Sequence, residues 1–529
     1  MKIKTVTIIG GGSSGWMSAA ILSKKCPHLN IKLVESTNVP TIGVGESTLG
    51  TINRFLKILG LTDDMWMKSC NATYKNSIRF TNFKQNDGTS FHYPFTTPSG
   101  YDFTNKENGL WTWGEVKTLF PEEFKDVSFA QFYSDNTLLA EQNKQTNNLD
   151  NKLSQFNFEH DTAYHLDAQA FGQWIKNHLK RSTNFEHIYD TVYSYEKDED
   201  GNISKIFTKN SRTLESDLWI DCTGFSSVLL EGWMQQKFNS FNKHLLNNSA
   251  IVCNVEYTDI QKQLVNYTDC CGLNNGWVWT IPLWDRVSIG YVYSSDYTDK
   301  VNAKKELEQY ISEKGYSNPK NIKYIDIKHG YRDTAWHKNV VGVGLSFGFV
   351  EPLESTGLLT THENLTRLTA ILSRREGYVN KVEIEGYNYI AKKEIIGMKD
   401  FVSLHYAFST RTDTPYWKKC TQDISYFDIN DASNTVMYAQ VLTSITQTNS
   451  FMVGDVPGYS GIPYILAGLG IVAPSLQEAI ESDYSLLRVN IDSIELSKNK
   501  WLNHRDEILR YIDTLPNSYE FLRDNIYNK

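Results

Sequence analysis

The first 35 residues constrain the fold more than any other part of the chain. Val6 to Ile9 has the pattern of a buried strand, the turn Gly10 to Gly15 is rich in glycine, and Trp16 to Lys24 has a helical composition. A second strand, Asn30 to Val34, ends at Glu35. Two parallel strands cannot be joined by a hairpin and need a crossover such as a helix. The pattern therefore predicts a βαβ unit and a mixed α/β fold.

The turn has the spacing Gly10-x-Gly12-x-x-Gly15. Gly10 permits a tight turn, Gly12 lets a pyrophosphate approach the backbone, and Gly15 lets the helix pack close to the strand. The helix N-terminus adds amide donors and the positive end of a dipole. Glu35 lies 20 residues after Gly15, where a carboxylate binds ribose hydroxyls. These features together predict a dinucleotide site.

Two later segments bear on which dinucleotide is bound. Trp219 to Gly224 is a strand that ends in a tight turn, and Val340 to Gly344 is a second strand punctuated by glycine. Glycine turns this far apart suit a long cofactor that several segments surround, which favours FAD over NAD. Ordinary strand ends are the alternative explanation.

Length and composition suggest how the chain is divided. A chain of 529 residues exceeds the size at which one core stops growing. We predict a FAD-binding module over residues 1–390, with inserted mixed-sheet segments, and a mainly helical, substrate-covering region over residues 391–529. The Asn- and Gln-rich segment 142–152 is predicted to be a surface loop.

Charge and cysteine usage exclude several classes of protein. The net charge is −8 without a basic block, which argues against nucleic acid or an anionic membrane as a partner. No apolar run reaches membrane-spanning length. The seven cysteines form no CxxC pair, so we expect neither a disulfide framework nor a metal site. The first residues lack a signal-peptide pattern, and a cytoplasmic location is expected.

Further motifs extend from residue 10 to about residue 360. They are GGGSSGWMSAA at Gly10 to Ala20, GVGEST at Gly43 to Thr48, TYKNSIRF at Thr73 to Phe80, GWVWTIP at Gly276 to Pro282, and FVEPLESTG at Phe349 to Gly357. In this combination the chain resembles the flavin-dependent halogenases of the tryptophan halogenase family, whose WxWxIP signature separates them from flavin hydroxylases. The resemblance implies a Rossmann-like flavin monooxygenase fold with an inserted β-sheet and a C-terminal helical substrate region.

The resemblance also implies the chemistry. Reduced FAD and O2 convert a bound halide to hypohalous acid, which travels through the protein to a separate aromatic site. Lys75 is the implied catalytic lysine: its ammonium would polarise hypohalous acid, or its neutral amine would form a haloamine, and both routes stay open. Glu354 would accept a proton from the ring intermediate or stabilise its charge. The backbone amides of Thr356 and Gly357, at a helix start, would bind the halide.

Other residues are assigned from the same resemblance. Trp277 and Trp279 would limit contact between substrate and flavin, although two tryptophans on one strand face are also ordinary packing. His92 and Phe95 form one wall of an aromatic slot, or equally pack as ordinary core residues. The implied FAD contacts are Gly10, Gly12, Ser13, Ser14, Gly15, Glu35, Gly45, Glu46, Val192, Leu345 and Leu358.

The expected substrate is an aromatic ring without an amino-acid head group. Phe451 to Pro463 lacks the acidic and aromatic pattern with which tryptophan-specific members grip that head group. We therefore expect an indole or phenol, or a larger and looser set of aromatic substrates, rather than free tryptophan. The choice of halide stays open; bromide and iodide oxidise more easily than chloride, which favours them. A flavin-dependent aromatic monooxygenase and a non-catalytic flavin-binding regulator remain the alternatives.

The expected partners follow from what the sequence lacks and from the resemblance. We find no flavin-reductase motif, so a separate reductase is expected to supply the reduced flavin. Members of the family are often homodimers, and the resemblance allows for one here.

Overall fold

A computed structural model describes residues 1–37, 45–96, 109–180, 182–426, 461–471 and 491–529. The chain forms two compact units. Unit 1 consists of Met1–Ala72, His165–Asn248 and Asp326–Ile396, and unit 2 of Thr73–Tyr164, Ser249–Ile325 and Gly397–Lys529. Each unit is assembled from three segments of the chain, and strands that are distant in sequence pair within it. The division at residue 390, drawn from composition, stays a prediction.

The described strands and helices are numbered in chain order. The strands are β1 Thr5–Ile9, β2 Asn30–Glu35, β3 Gly45–Ser47, β4 Thr73–Lys75, β5 Ser77–Thr81, β6 Ser90–Pro94, β7 Ala163–Asp167, β8 Phe185–Tyr189, β9 Val192–Lys197, β10 Ile203–Thr208, β11 Thr213–Glu215, β12 Leu218–Asp221, β13 Phe238–Ser240, β14 Ser249–Val255, β15 Tyr267–Gly272, β16 Gly276–Pro282, β17 Val287–Tyr293, β18 Lys320–Asp326, β19 Gly330–Arg332, β20 Trp336–His337, β21 Val340–Gly342 and β22 Gly348–Phe349. The helices are α1 Ser13–Lys25, α2 Ile52–Leu59, α3 Asp63–Trp66, α4 Gly109–Leu119, α5 Pro121–Phe124, α6 Phe129–Tyr133, α7 Asp135–Glu141, α8 Phe158–Asp161, α9 Ala168–Leu179, α10 Ile260–Gln263, α11 Lys300–Glu313, α12 Gly357–Arg374, α13 Lys381–Ala407, α14 Pro415–Lys418, α15 Ile462–Gly468, α16 Ile491–Asp513 and α17 Ser518–Leu522. Short 3-10 or π-helical segments occupy Lys68–Cys70, Gly224–Ser226, Val228–Trp233, Gly344–Ser346, Pro352–Glu354, Lys419–Asp423 and Arg523–Tyr527.

Unit 1 is built on a six-stranded sheet in the order β20-β21-β12-β1-β2-β8. The strands from β21 to β8 run parallel, and only β20, at the edge, is antiparallel to its neighbour. Helix α1 connects the neighbouring strands β1 and β2, as the βαβ pattern predicts. The Rossmann-like α/β fold expected from the sequence is confirmed.

Backbone segments approach closely at the turn after β1. Gly10 has a φ of +116°, and a Cβ there would overlap the carbonyl oxygen of Cys222. A Cβ on Gly15 would overlap the carbonyl oxygen of Gly10. Gly12 differs, because a Cβ there would meet no described atom within 4 Å. The first and last glycines of the motif are therefore required by the fold, whereas the space beside Gly12 is open.

Unit 2 is built on a seven-stranded sheet in the order β18-β14-β17-β16-β15-β5-β6. Strand β5 runs parallel to β15 and antiparallel to β6. Helix α11 covers one face of this sheet. Its Leu307 and Ile311 pack into a core with Ile251, Val278 and Ile289, and all five residues are buried.

The predicted surface loop at residues 142–152 is wrong in part, because several of its polar side chains are buried. Asn148 donates a hydrogen bond through Nδ2 to the carbonyl oxygen of Leu153, at 2.8 Å. Gln145 accepts one from Nδ2 of Asn76, at 2.9 Å. Polar groups can be buried once they are hydrogen-bonded, and composition alone does not reveal the partners.

Beyond residue 390 the described chain is mainly helical, as predicted, with α13 to α17. Among the helices of the described ranges, none is both long and apolar enough to cross a bilayer. The same ranges contain no group of three or more His, Cys, Asp or Glu side chains placed to hold a metal ion.

The surroundings of Gly15 and Gly12 predict that an alanine at each position has a different effect on the stability of the protein. Gly15→Ala should lower the free energy of unfolding by about 3 kcal/mol, because the new methyl group overlaps backbone. Gly12→Ala, the matched control, should change it by less than about 1 kcal/mol, since Gly12 lies at the helix start and not in its interior. Thermal unfolding of the cofactor-free proteins measures both. Equal unfolding temperatures for the two variants would contradict this account.

Candidate active site

A cavity of about 370 Å³ lies at the N-terminus of α1. It is lined by Gly11, Gly12, Ser13, Trp16, Glu35, Asp167, Ala168, Gln169, Ala170, Gly172 and Gln173. Gly12 is the N-cap of α1 and has no side chain with which to accept from the first amides of the helix. Those amides can therefore bind a phosphate, and the helix dipole adds to the attraction. The open space at Gly12 and these donors fit the pyrophosphate of FAD.

Glu35, at the end of β2, belongs to a charged cluster. Its Oε2 accepts hydrogen bonds from Nζ of Lys176 and from Nε2 of His187, each at 3.0 Å. The Lys176 ammonium also lies 5.4 Å from the Trp16 ring and 4.7 Å from the Tyr189 ring. Burial and the neighbouring ammonium lower the pKa of His187, so Lys176 is the cation that holds Glu35 at neutral pH. This places the Glu35 carboxylate beside the cavity in a fixed orientation suited to ribose hydroxyls.

Three segments that the sequence analysis assigned to FAD meet near the N-terminus of α1 in unit 1. Ser14, on α1, lies 3.2 Å from Thr361 of α12, measured between the two hydroxyl oxygens. Gly344 has a φ of +67°, and a Cβ there would overlap the hydroxyl of Ser14. Leu345 follows in the same 3-10 turn, and Leu358 is buried near the start of α12. Residues more than 300 positions apart in sequence thus contact each other at the N-terminus of α1, beside the cavity.

The remaining predicted FAD contacts lie elsewhere in unit 1. Val192 is the first residue of β9 and packs, partly buried, against the core beside β2 and β12. Gly45 and Glu46 lie on β3, which pairs antiparallel with β7. Gly43, Val44 and the substrate-related stretch 451–460 lie outside the described residues.

The predicted halide turn precedes α12. Ser355 adopts a left-handed conformation with a φ of +57°, and its hydroxyl donates to that of Ser47 at 3.0 Å. Such a conformation is costly for a residue other than glycine and is often found at functional sites. Thr356 is the N-cap of α12, and its side chain makes no capping hydrogen bond within the described chain. The first amides of an 18-residue helix are therefore presented without a side-chain cap.

Glu354 ends the 3-10 turn Pro352–Glu354 and is fully buried. The nearby Glu351 is also buried and accepts a hydrogen bond from Nδ2 of Asn247 at 2.7 Å. The sequence resemblance assigns Glu354 the role of proton acceptor, and the structure places its side chain out of contact with bulk water.

Lys75, the last residue of β4, is fully buried in unit 2. A lysine is almost never fully buried unless it is paired. The next residue, Asn76, is held by a network of buried amides. Its carbonyl oxygen accepts from Nδ2 of Asn136 at 2.7 Å, its backbone N–H donates to the carbonyl oxygen of Asn266 at 2.7 Å, and its side chain binds Gln145. The chain on which Lys75 lies is therefore rigidly positioned.

Phe95 lies beside Lys75 and belongs to a cluster that we name the aromatic wall: Tyr93, Phe95, Phe401 and Tyr464. The Lys75 ammonium is 4.9 Å from the centroid of the Phe95 ring. The Tyr93 ring lies 5.9 Å from Phe95, 6.0 Å from Phe401 and 6.1 Å from Tyr464, between centroids. An apolar wall next to a buried ammonium suits a flat ring that is attacked at one position.

His92 lies next to Tyr93 on β6, so its side chain points to the other face of the sheet. Its Nδ1 is 2.8 Å from the hydroxyl of Ser77, and its ring contacts Tyr267 edge to face. Burial and the positive charge of Arg79 lower the pKa of His92 to about 3. The structure therefore separates His92 from Phe95, although the sequence hypothesis grouped them.

Trp277 and Trp279 lie on one face of β16, as their spacing predicts, with ring centroids 6.0 Å apart. Both are buried. Gly290 lies opposite Trp279 on β17, and a Cβ there would overlap the indole. The Trp279 Nε1 finds no acceptor among the residues that the structure describes.

Sequence reasoning missed Lys176, His187, Phe401 and Tyr464. The first two lie 141 and 152 residues after Glu35, and the other two come from helices far beyond β6. No local spacing connects such residues to the site. An excess of aromatic residues, 13% of the chain, was the one available signal for the wall.

Comparisons with known proteins identify the family to which the chain belongs. The family model for tryptophan halogenase matches residues 5–456. Tryptophan 6-halogenase SttH of Streptomyces toxytricini is 30% identical over 533 residues, which cover 98% of this chain and 97% of SttH. Among solved structures, the VirX1 apo structure has a TM-score of 0.91 at 44% identity and covers 100% of both chains. BrvH, a flavin-dependent halogenase from Brevundimonas sp. BAL3, has a TM-score of 0.82 at 26% identity, with 99% of each chain covered.

The resemblance stated from the motifs is confirmed by these matches, which span most of the chain. The cavity at the N-terminus of α1 and the buried lysine are consistent with the same assignment. The chain therefore belongs to the tryptophan halogenase family, whose members are flavin-dependent enzymes that use FADH2, a halide and O2.

Proposed function

We propose that this enzyme halogenates an electron-rich aromatic ring, an indole or phenol without an amino-acid head group, and that it prefers bromide or iodide to chloride. The observation that carries the proposal is the fully buried Lys75 beside the aromatic wall. A buried ammonium beside an aromatic ring is stabilised by the ring, and it can also activate an electrophile for a substrate ring held nearby.

The residues of unit 1 would bind the cofactor and the halide. The glycine turn and the N-terminus of α1 would hold the pyrophosphate, and Glu35 the ribose. Bound reduced FAD supplies the electrons with which a halide and O2 give hypohalous acid. The amides of Thr356 and Gly357 would hold the halide in place with the dipole of α12.

Lys75 and Glu354 would carry the second half of the reaction. The proposal requires hypohalous acid to reach Lys75, which would polarise it by a hydrogen bond or react with it as an amine to form a haloamine. Glu354 would take the proton that the ring loses when it regains aromaticity. Trp277 and Trp279 would keep the aromatic substrate from contact with the flavin, which favours halogenation over hydroxylation.

Two further elements of the proposal rest on sequence. Phe451 to Pro463 lacks the acidic and aromatic pattern expected for binding the tryptophan head group, which supports a simpler ring as substrate. The absence of a reductase motif supports a separate flavin reductase as partner.

The cofactor assignment predicts the effect of Gly12→Leu. A Cβ at this position meets no described atom within 4 Å, whereas the larger side chain would occupy the space proposed for the pyrophosphate. FAD affinity should fall by about 10-fold or more, because a steric overlap costs about 1 to 3 kcal/mol. Titration of flavin fluorescence gives the affinity, and the unfolding temperature without FAD serves as control. A variant with unchanged affinity would show that the pyrophosphate lies elsewhere.

Lys75→Met should lower halogenation by about 100-fold or more, since it removes the activating group. FAD affinity should stay within about twofold of wild type, because Lys75 is not among the residues that line the cavity at the N-terminus of α1. Lys323→Ala, which removes an exposed lysine of the same unit, is the matched control and should leave turnover unchanged. Product formation is followed by mass spectrometry, and wild-type turnover in Lys75→Met would remove Lys75 from the mechanism.

A panel of chloride, bromide and iodide against indole, phenol and tryptophan tests the substrate. We expect brominated or iodinated indole or phenol as the main products, detected by their mass. Halogenated tryptophan as the preferred product, or a preference for chloride, would contradict the proposal. Oxygen addition alone, with bromide present, would indicate the monooxygenase alternative, and FAD binding without any product would indicate the regulator.

A further inference from the structure

Glu46 lies directly beside the start of α12. It is the middle residue of β3, where it pairs with Leu166 of β7. A methyl group placed on Gly357, the first residue of α12, would lie 3.3 Å from Oε2 of Glu46. Glu46, β3 and α12 all belong to unit 1. The carboxyl group is therefore in contact distance of the turn to which the halide is assigned.

The surroundings of Glu46 offer it no compensating cation. Within the described residues, no hydrogen bond or ion pair joins its carboxyl group to a basic side chain. The titratable groups on the neighbouring elements are Glu354 in the preceding turn, His362, Glu363, Arg367 and Arg374 on α12, and Tyr164, His165 and Asp167 on β7. None of them contributes to the shift in the pKa of Glu46, which is partly buried; the removal of its carboxyl group from water raises the pKa to about 7. The group is thus able to change its charge in the neutral range.

We infer that Glu46 couples halide binding at the Thr356–Gly357 turn to the uptake of one proton, so that a halide binds when the carboxyl group is neutral and is repelled when it is ionised. This inference rests on the halide assignment of the proposed function. Glu46 would thereby determine the pH range in which the halide binds. Neither the glycine-rich turn nor Lys75 has this role.

Electrostatics gives the size and the sign of the effect. Two negative charges about 6 Å apart, at an effective dielectric constant of about 20, weaken binding by about 100-fold. Halide affinity should therefore be constant below the pKa of Glu46. Above it, the dissociation constant should rise by about tenfold per pH unit, over about two units. By reciprocity, a bound halide raises the pKa of Glu46.

The test is bromide binding to the full-length, FAD-loaded protein between pH 5.5 and pH 9, measured from the line width of the bromide-81 NMR signal. In the wild type, the dissociation constant should rise by about tenfold between pH 7.5 and pH 8.5. In Glu46→Gln, which keeps the shape and loses the charge, it should stay flat and near the acidic wild-type value. Glu215→Gln, an exposed carboxylate of the same unit, is the matched control and should keep the wild-type dependence.

The outcomes separate this inference from the proposed function. If Glu46→Gln keeps the steep dependence on pH, or if the wild type shows none, Glu46 does not control the halide, although the halide site stands. If bromide binds to no form of the protein at any pH, the halide assignment itself fails. The flavin content and unfolding temperature of each variant establish that it is folded and loaded.

Discussion

The turn that begins α1 depends on a close approach of backbone segments that leaves no room for side chains at Gly10 and Gly15. Gly10 lies against the carbonyl of Cys222, where β12 ends, and Gly15 lies against Gly10 itself. The amide of Gly10 also donates a hydrogen bond to the carbonyl of Val34, at 2.9 Å. These contacts fix the direction in which α1 leaves the sheet. The position of its first amides, and with it the position of any phosphate bound there, follows from that direction.

The parts of the molecule that were predictable from sequence are those encoded within one element or one turn. The βαβ unit, the acidic residue that ends β2, and the shared face of Trp277 and Trp279 all follow from a local period or a local spacing. The partners of Glu35 do not, because Lys176 and His187 come from α9 and β8 and carry no spacing relative to β2. The same limit applies to the division into units, since each is assembled from three separate segments.

The Asn- and Gln-rich segment shows why composition can mislead. Polar content suggested solvent exposure, yet the side chain of Gln145 binds the side chains of both Asn76 and Asn266 in the interior of unit 2. Buried amides with their hydrogen bonds satisfied cost little, and they fix a backbone more precisely than apolar contacts do. Because Asn76 follows Lys75 directly, these amides form the support for the lysine on which the proposed chemistry relies.

The pairing of Trp279 with Gly290 has a consequence for the evolution of strands β16 and β17. The indole occupies space that exists only because the opposite strand position carries no side chain. The two positions can therefore not drift independently: any side chain acquired at Gly290 would displace the ring. A smaller residue at position 279 would leave a cavity next to the backbone of Gly290. Selection on the tryptophan is thus, at the same time, selection on a glycine eleven residues further along the chain.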